Sequence, residues 1–399
     1  MIFSLFTKRR QRRPLLDTSV FDEVLRQGDR QACRKLATQL LAFVDRDDTP
    51  EEERALVTPY LVRLATHPDP EVRAHAARAA RDCIRLDATV AFSIIANEDA
   101  IALPFITHAA CLNHKLQMAI LRAGDASRRR ALCARADIAP AVVAEILERA
   151  DRDTVLACLE NPQATLPPAH ARRIYLRFRE DREVIASLLR RPDLPLEVRI
   201  AHVEIESGRL REVMARSGWQ TAERAATAAQ DIEEQALADI LADAGDAERL
   251  QAALNFLSRR GKLTASVLMR VACAGHVAVL LHALAWLGRM RPARLRTVLK
   301  PAASLGVART ALTRANLPAA AHPLALAVLL AARREGEEAA RVGHRLRAFA
   351  PLVLEAIAET DQLGVTEKVE AANMLQRVAD ETTRELAARF VQTMLRHAA

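Results

Sequence analysis

Apolar residues recur at three- and four-residue spacing through most of the chain, and that period predicts helices rather than strands. The stretch "HPDPEVRAHAARAARDCIRLD", residues 67–87, shows how one helix is specified. Asp69 offers a side-chain acceptor to an unpaired N–H of the first turn, and Pro70 suits the first helical position, where no N–H is needed. Glu71 adds negative charge near the positive end of the helix dipole. Val72, Ala76, Ala79, Ala80 and Cys83 then make a stripe of small side chains that a neighbouring helix can approach closely.

The pattern repeats. "DIAPAVVAEILERA" from Asp137, "TLPPAHARRIYLRF" from Thr165 and "DLPLEVRIAHVEIE" from Asp193 align with Ile138, Leu166 and Leu194 set 28 residues apart. Each puts an apolar residue ahead of a proline and continues as a helix, with second helices between them at "RDTVLACLENP" and "DREVIASLLRRP". One such pair cannot bury its own apolar face, whereas stacked copies can. The expected architecture is therefore all-α, an α-solenoid of stacked antiparallel helix pairs.

Composition supports this reading. Only 12 of 399 residues are glycine and 4% are aromatic, while the good helix formers Ala, Leu, Arg and Glu abound. The six cysteines are scattered with no Cys-x-x-Cys pair, so buried free thiols in a reducing compartment are expected. His108, Cys111 and His114 have metal-like spacing, but on one helix the first and last would point roughly 240° apart, so no metal is expected.

The Asp-Pro-x-Val-Arg start at Asp69, Pro70 and Arg73, echoed by Asp193 and Arg199, resembles HEAT repeats. That resemblance implies an aspartate capping the second helix of a repeat and an arginine linking neighbours. "AFSIIANEDAIALPFI", "ALCARADIAPAVV", "VLACLENPQATLP" and "ASLLRRPDLPLEV" are similar to a bacterial HEAT-like family known only as a domain of unknown function. This second resemblance, closest over residues 90–215, implies a bacterial α-solenoid and carries over no catalytic residue.

Charge changes the picture most. The formal net charge is +8, yet the 86 residues from Arg249 through Arg334 hold 14 Lys or Arg and no Asp or Glu. Solvated surfaces ordinarily mix both signs. The candidate anion-binding residues are Arg259, Arg260, Lys262, Arg289, Arg291, Arg294, Arg296 and Lys300. A helix beginning at Pro292 would put Arg296 and Lys300 on one face. An acidic protein is the expected partner, with nucleic acid the alternative because phosphates call for clustered Lys and Arg. Resemblance to HEAT-like DNA glycosylases would require an acid and aromatic platforms in the basic groove. The sequence offers Trp219 and Trp286, and Asp231 or Asp239 from outside the basic stretch.

The opening "MIFSLFTKRRQRRP" has too short an apolar run for a signal peptide. It reads as a basic tail over residues 1–14 or as a foot on an anionic membrane, with Phe3 and Phe6 dipping in and Lys8, Arg9, Arg10, Arg12 and Arg13 meeting head groups. Residues 271–288 carry no charge but include His276, His282 and two glycines, so they are read as core helix rather than a span. Glu51 to Glu53 fit a first helical turn, and Arg128 to Arg130 and Arg190 to Arg191 are expected at helix C-termini. No phosphate loop, dinucleotide fingerprint, zinc-protease motif or nucleophile elbow is present. The sequence thus predicts repeats over 15–217, basic repeats over 218–344 and a polar cap over 345–399. The expected function is a cytoplasmic, non-enzymatic scaffold that needs no cofactor.

Overall fold

The computed structural model describes residues 18–216, 221–301, 303–379 and 381–398, and among them every regular element is helical. Two compact units divide the chain between Leu194 and Pro195.

The first unit contains α1 (Ser19–Gln27), α2 (Arg30–Val44), α3 (Glu51–Ala65), α4 (Pro70–Ala79), α5 (Ala88–Ile95) and α6 (Asp99–His108). It continues with α7 (His114–Ala123), α8 (Ala126–Cys133), α9 (Pro140–Arg149), α10 (Arg152–Glu160), α11 (Pro168–Arg177) and α12 (Arg182–Arg190). Helices α2, α4, α6, α8, α10 and α12 pack one on the next in a continuous row, while α3 lies on α5 and α7, α9 and α11 lie side by side. The two-layer packing follows from the apolar stripes. On α4 the buried positions are Val72, Ala76 and Ala77, with Ala80 and Cys83 just beyond, so Ala77 takes the place expected for Ala79.

Acidic residues begin the even helices. Asp69 accepts from the Glu71 N–H, Asp151 from the Thr154 N–H and Asp181 from the Glu183 and Val184 N–H groups. An arginine of the preceding even helix then binds the same acid: Arg30 to Asp69 at 2.6 Å, Arg129 to Asp151 at 2.8 Å and Arg152 to Asp181 at 2.6 Å. Arg73 joins Glu98, the residue ahead of α6, at 2.8 Å, and also donates to the His67 and Pro68 carbonyls. Exposed pairs of this kind contribute little each, and they recur from helix to helix along the row.

Several expectations are corrected here. Asp193 starts no helix; it accepts from the Leu166 N–H and pairs with Arg191. Arg199 keeps its expected place on a helix, within α13 (Leu196–Arg216), where burial, then the like charge of Arg249, holds its pKa below the usual arginine range. Arg128 and Arg129 occupy the first turn of α8 rather than its end, and Arg128 donates to the Ile95 and Asn97 carbonyls at the C-terminus of α5. The dipole end it satisfies belongs to another helix. His108 ends α6 and His114 begins α7, so with Cys111 they span a turn and share no helix.

The second unit contains α13, α14 (Ala222–Ala242), α15 (Ala247–Arg259), α16 (Ala265–Cys273), α17 (Val277–Leu287) and α18 (Pro292–Arg296). Then come α19 (Leu305–Arg314), α20 (His322–Ala332), α21 (Phe349–Glu359), α22 (Val365–Val378) and α23 (Glu381–Ala398). Both helices flanking position 218, α13 and α14, pack on each other within this unit. Its core is α17 and α20: Val277 to Leu281 and Ala283 to Ala285 are all buried, as are Pro323 to Leu329. A helix apolar on every side belongs inside a protein. The uncharged stretch 271–288 is split by Gly275 and His276 between α16 and α17, and among the described residues no helix is long and apolar enough to cross a membrane. Within the stretch expected as a polar cap, α22 packs on α16 and α20 and buries Ala371, Ala372, Leu375 and Val378.

Candidate partner-binding surface

The surface begins where α17 ends. Met290 donates its N–H to the Ala285 carbonyl and Arg289 donates to Trp286, which closes the helix through a left-handed residue. That residue is Arg289, at φ 49°, although Gly288 stands one position earlier. A Cβ on Gly288 would meet the movable Met290 Cε at 2.6 Å and the Leu284 carbonyl oxygen at 3.0 Å, so the position is tight but glycine's backbone freedom is not used there. Arg289 therefore holds a conformation that costs a side-chain-bearing residue about 1 kcal/mol.

Pro292 starts α18, which runs only to Arg296 and tightens into a 3-10 turn over Thr297–Leu299. The expected helical pairing of Arg296 with Lys300 does not form. Lys300 precedes Pro301, whose ring disfavours helical backbone in the residue before it, and Lys300 is extended at ψ 137°. Leu295, Val298 and Leu299 are buried and pin the segment, leaving Arg294, Arg296 and Lys300 exposed.

Thirteen of the 14 cations of the acid-free stretch, all but Arg249, divide into two groups. One is engaged: Arg260 with Glu204 at 2.5 Å, Lys262 with Glu233 at 2.6 Å, Arg270 with Asp231 at 2.8 Å and Arg309 with Glu367 at 2.8 Å. Arg333 donates to the Val298 and Ala303 carbonyls, and Arg334 reaches Glu355 and Glu359. Arg260 and Lys262 thus serve the turn after α15 and leave the candidate set. The other group is exposed and has no ion pair or side-chain hydrogen bond among the described residues: Arg259, Arg289, Arg291, Arg294, Arg296, Lys300 and Arg314. All but Arg259 belong to the α17–α19 segment.

Arg294 and Arg314 flank a cleft of about 180 Å³ between α18 and α19, walled by Met290, Leu295, Val307 and Ala311. Arg314 escapes sequence reading because it lies 14 positions beyond Lys300 and only the packing of α19 returns it. Among the described residues, no aromatic ring lines this cleft. A second basic-rimmed cleft, of about 240 Å³, lies in the first unit between α4 and α6, with Arg78 and Arg81 beside Ala77, Ile101, Pro104 and Phe105.

Other candidates fall elsewhere. Phe3, Phe6, Lys8, Arg9, Arg10, Arg12, Arg13 and Trp219 lie outside the described residues. Trp286 is half-buried, Asp231 is held by Arg270, and Asp239 accepts from Gln235. All six cysteines are free and buried, and burial pushes Cys83 up to about 12, Cys111 to about 11 and Cys273 to about 12. Such thiols stay protonated at neutral pH.

The strain at Arg289 yields a direct expectation. Arg289→Gly relieves the left-handed backbone and raises stability by about 0.5 kcal/mol, read as a higher urea midpoint. An Arg289→Gly chain less stable than the parent would contradict the strain assignment.

Compared with known proteins, residues 101–365 match a family model described as an uncharacterised protein conserved in bacteria (DUF2336). No curated protein and no solved structure matches the chain.

Proposed function

The chain belongs to the uncharacterised bacterial family DUF2336, a membership that assigns no reaction, and from that premise we propose a non-enzymatic scaffold or adaptor, a HEAT-like α-solenoid that binds an acidic protein. The observation that carries the reading is the set of exposed, unpaired cations from Arg289 to Arg314 in a stretch without a single carboxylate. Crowded like charges raise the local positive potential and speed the approach of an acidic partner, an effect that salt screens. The Asp-to-Arg ladder of the first unit supports the HEAT-like reading, since it follows the roles that resemblance implies for Asp69 and Arg73. Buried free thiols suit a reducing cytoplasm.

An acidic protein is favoured over nucleic acid because the cleft beside these cations has aliphatic walls and, among the described residues, no ring for base stacking. The test is capture from native bacterial extract with the full chain and with Arg291→Glu/Arg294→Glu/Arg296→Glu/Lys300→Glu. Acidic proteins retained by the first and lost by the second are expected. Identical captured sets overturn the proposal, and capture abolished by nuclease replaces it with nucleic-acid binding.

A further inference from the structure

The α18–α19 cleft has a composition that the charge around it does not explain. A surface built only to attract anions needs cations, yet here two unpaired arginines bracket an apolar recess. Leu295 and Ala311 form its buried floor, Val307 stands 39% exposed on one wall and the flexible side chain of Met290 forms another. Thr310 turns its hydroxyl hydrogen back to the Gly306 carbonyl at 2.7 Å, so it presents only an acceptor to the cleft. The recess therefore offers no free hydroxyl donor to an anion and exposes aliphatic surface, while Arg294 and Arg314 stand ready at either side.

We propose that this cleft is the anchor site for an acidic peptide segment of the partner protein, one that inserts a single large aliphatic side chain between Arg294 and Arg314 and places carboxylates on them. The proposal rests on the acid-binding reading of the surface and adds what the partner must carry. About 180 Å³ is room for one such side chain and not for a helix face. Arg289, Arg291, Arg296 and Lys300 surround the anchor and meet further carboxylates of the same segment, so attraction is broad while register is set by one apolar contact. Methionine at the wall suits an anchor of variable shape, because its unbranched chain repacks around different side chains.

The test measures binding of short fluorescein-labelled peptides to the full chain by anisotropy. One probe is an Asp/Glu peptide with a central Leu, a second has Ala in its place, and oligo(dT) is the third. The Leu probe is expected to bind about tenfold more tightly than the Ala probe, the factor that burying one aliphatic side chain supplies. Val307→Asp, at an exposed position where folding is not at risk, removes that preference and weakens the Leu probe, and Arg294→Ala/Arg314→Ala weakens both peptides. If the two peptides bind equally and lose affinity only on charge reversal of Arg291, Arg296 and Lys300, the anchor is overturned while the acid-binding surface stands. If neither peptide binds and oligo(dT) does, both fail.

Discussion

Arg191→Ala lowers the unfolding free energy by about 3 kcal/mol, measured as a shift of the urea midpoint by circular dichroism. The side chain is only 6% exposed, and its guanidinium is spent on backbone. It donates to the carbonyls of Leu159 at 3.0 Å, Asn161 at 2.9 Å and Ala164, and grips Asp193 through Nε and Nη2, both at 2.8 Å. Burial works against the charge on Asp193, but hydrogen bonds from Arg191 and the Leu166 N–H hold its pKa below the usual carboxylate value. Truncation leaves three carbonyls and a carboxylate short of donors in one place, the situation in which a buried pair becomes costly. Arg191→Lys recovers little, since an ammonium cannot reproduce the planar fork that serves carbonyls and carboxylate together. Arg135 does the same work one site earlier, donating to Ile106, Ala109 and Asp137 while 1% exposed. An Arg191→Ala chain within about 1 kcal/mol of the parent would remove these arginines from the account of how the first unit holds together.

Gly275→Ala is expected to cost a comparable amount, about 3 kcal/mol, for a different reason. Gly275 links α16 to α17 at φ +98°, where any side chain is strained. A Cβ there would also land on the Leu346 carbonyl oxygen, and that backbone cannot retreat freely: the Leu346 N–H donates to the Gly275 carbonyl at 3.0 Å, and Arg345 Nε to Ala274 at 3.1 Å. Gly336 is the control, at φ +59° with nothing within 4 Å of its would-be Cβ. Gly336→Ala should show the backbone strain alone, about 1 kcal/mol. Equal urea midpoints for the two variants would mean the Leu346 contact contributes nothing.

These two sites mark what can and cannot be read from the chain itself. The capped starts at Asp69, Asp151 and Asp181 are local, and so they stand in the sequence as Asp ahead of an apolar stripe. The 28-residue spacing likewise returns as helices beginning at Pro140, Pro168 and Leu196. Arg191, by contrast, looks like any cation at the end of a helix. Which carbonyls need it depends on how α10 turns towards α11, a matter of packing rather than local preference. Gly275 meets a partner 71 positions away. In the candidate binding surface, the concentration of charge is plain in the sequence, and so is the Pro301 that breaks α18 before Lys300. The division between engaged and free cations is not, because Glu204, Glu233 and Glu367 come from helices outside the acid-free stretch. Arg260 and Lys262 look identical to Arg294 and Arg296 until those helices are in place.

The proposed acid-binding surface consists of the free cations between Arg289 and Arg314. Amide hydrogen exchange of the full chain, with and without poly-glutamate, tests it most directly. Slowed exchange over residues 289–314 that reverts in high salt is the expected result. Protection confined to α4 and α6 near Arg78 and Arg81, or no protection anywhere, would contradict it.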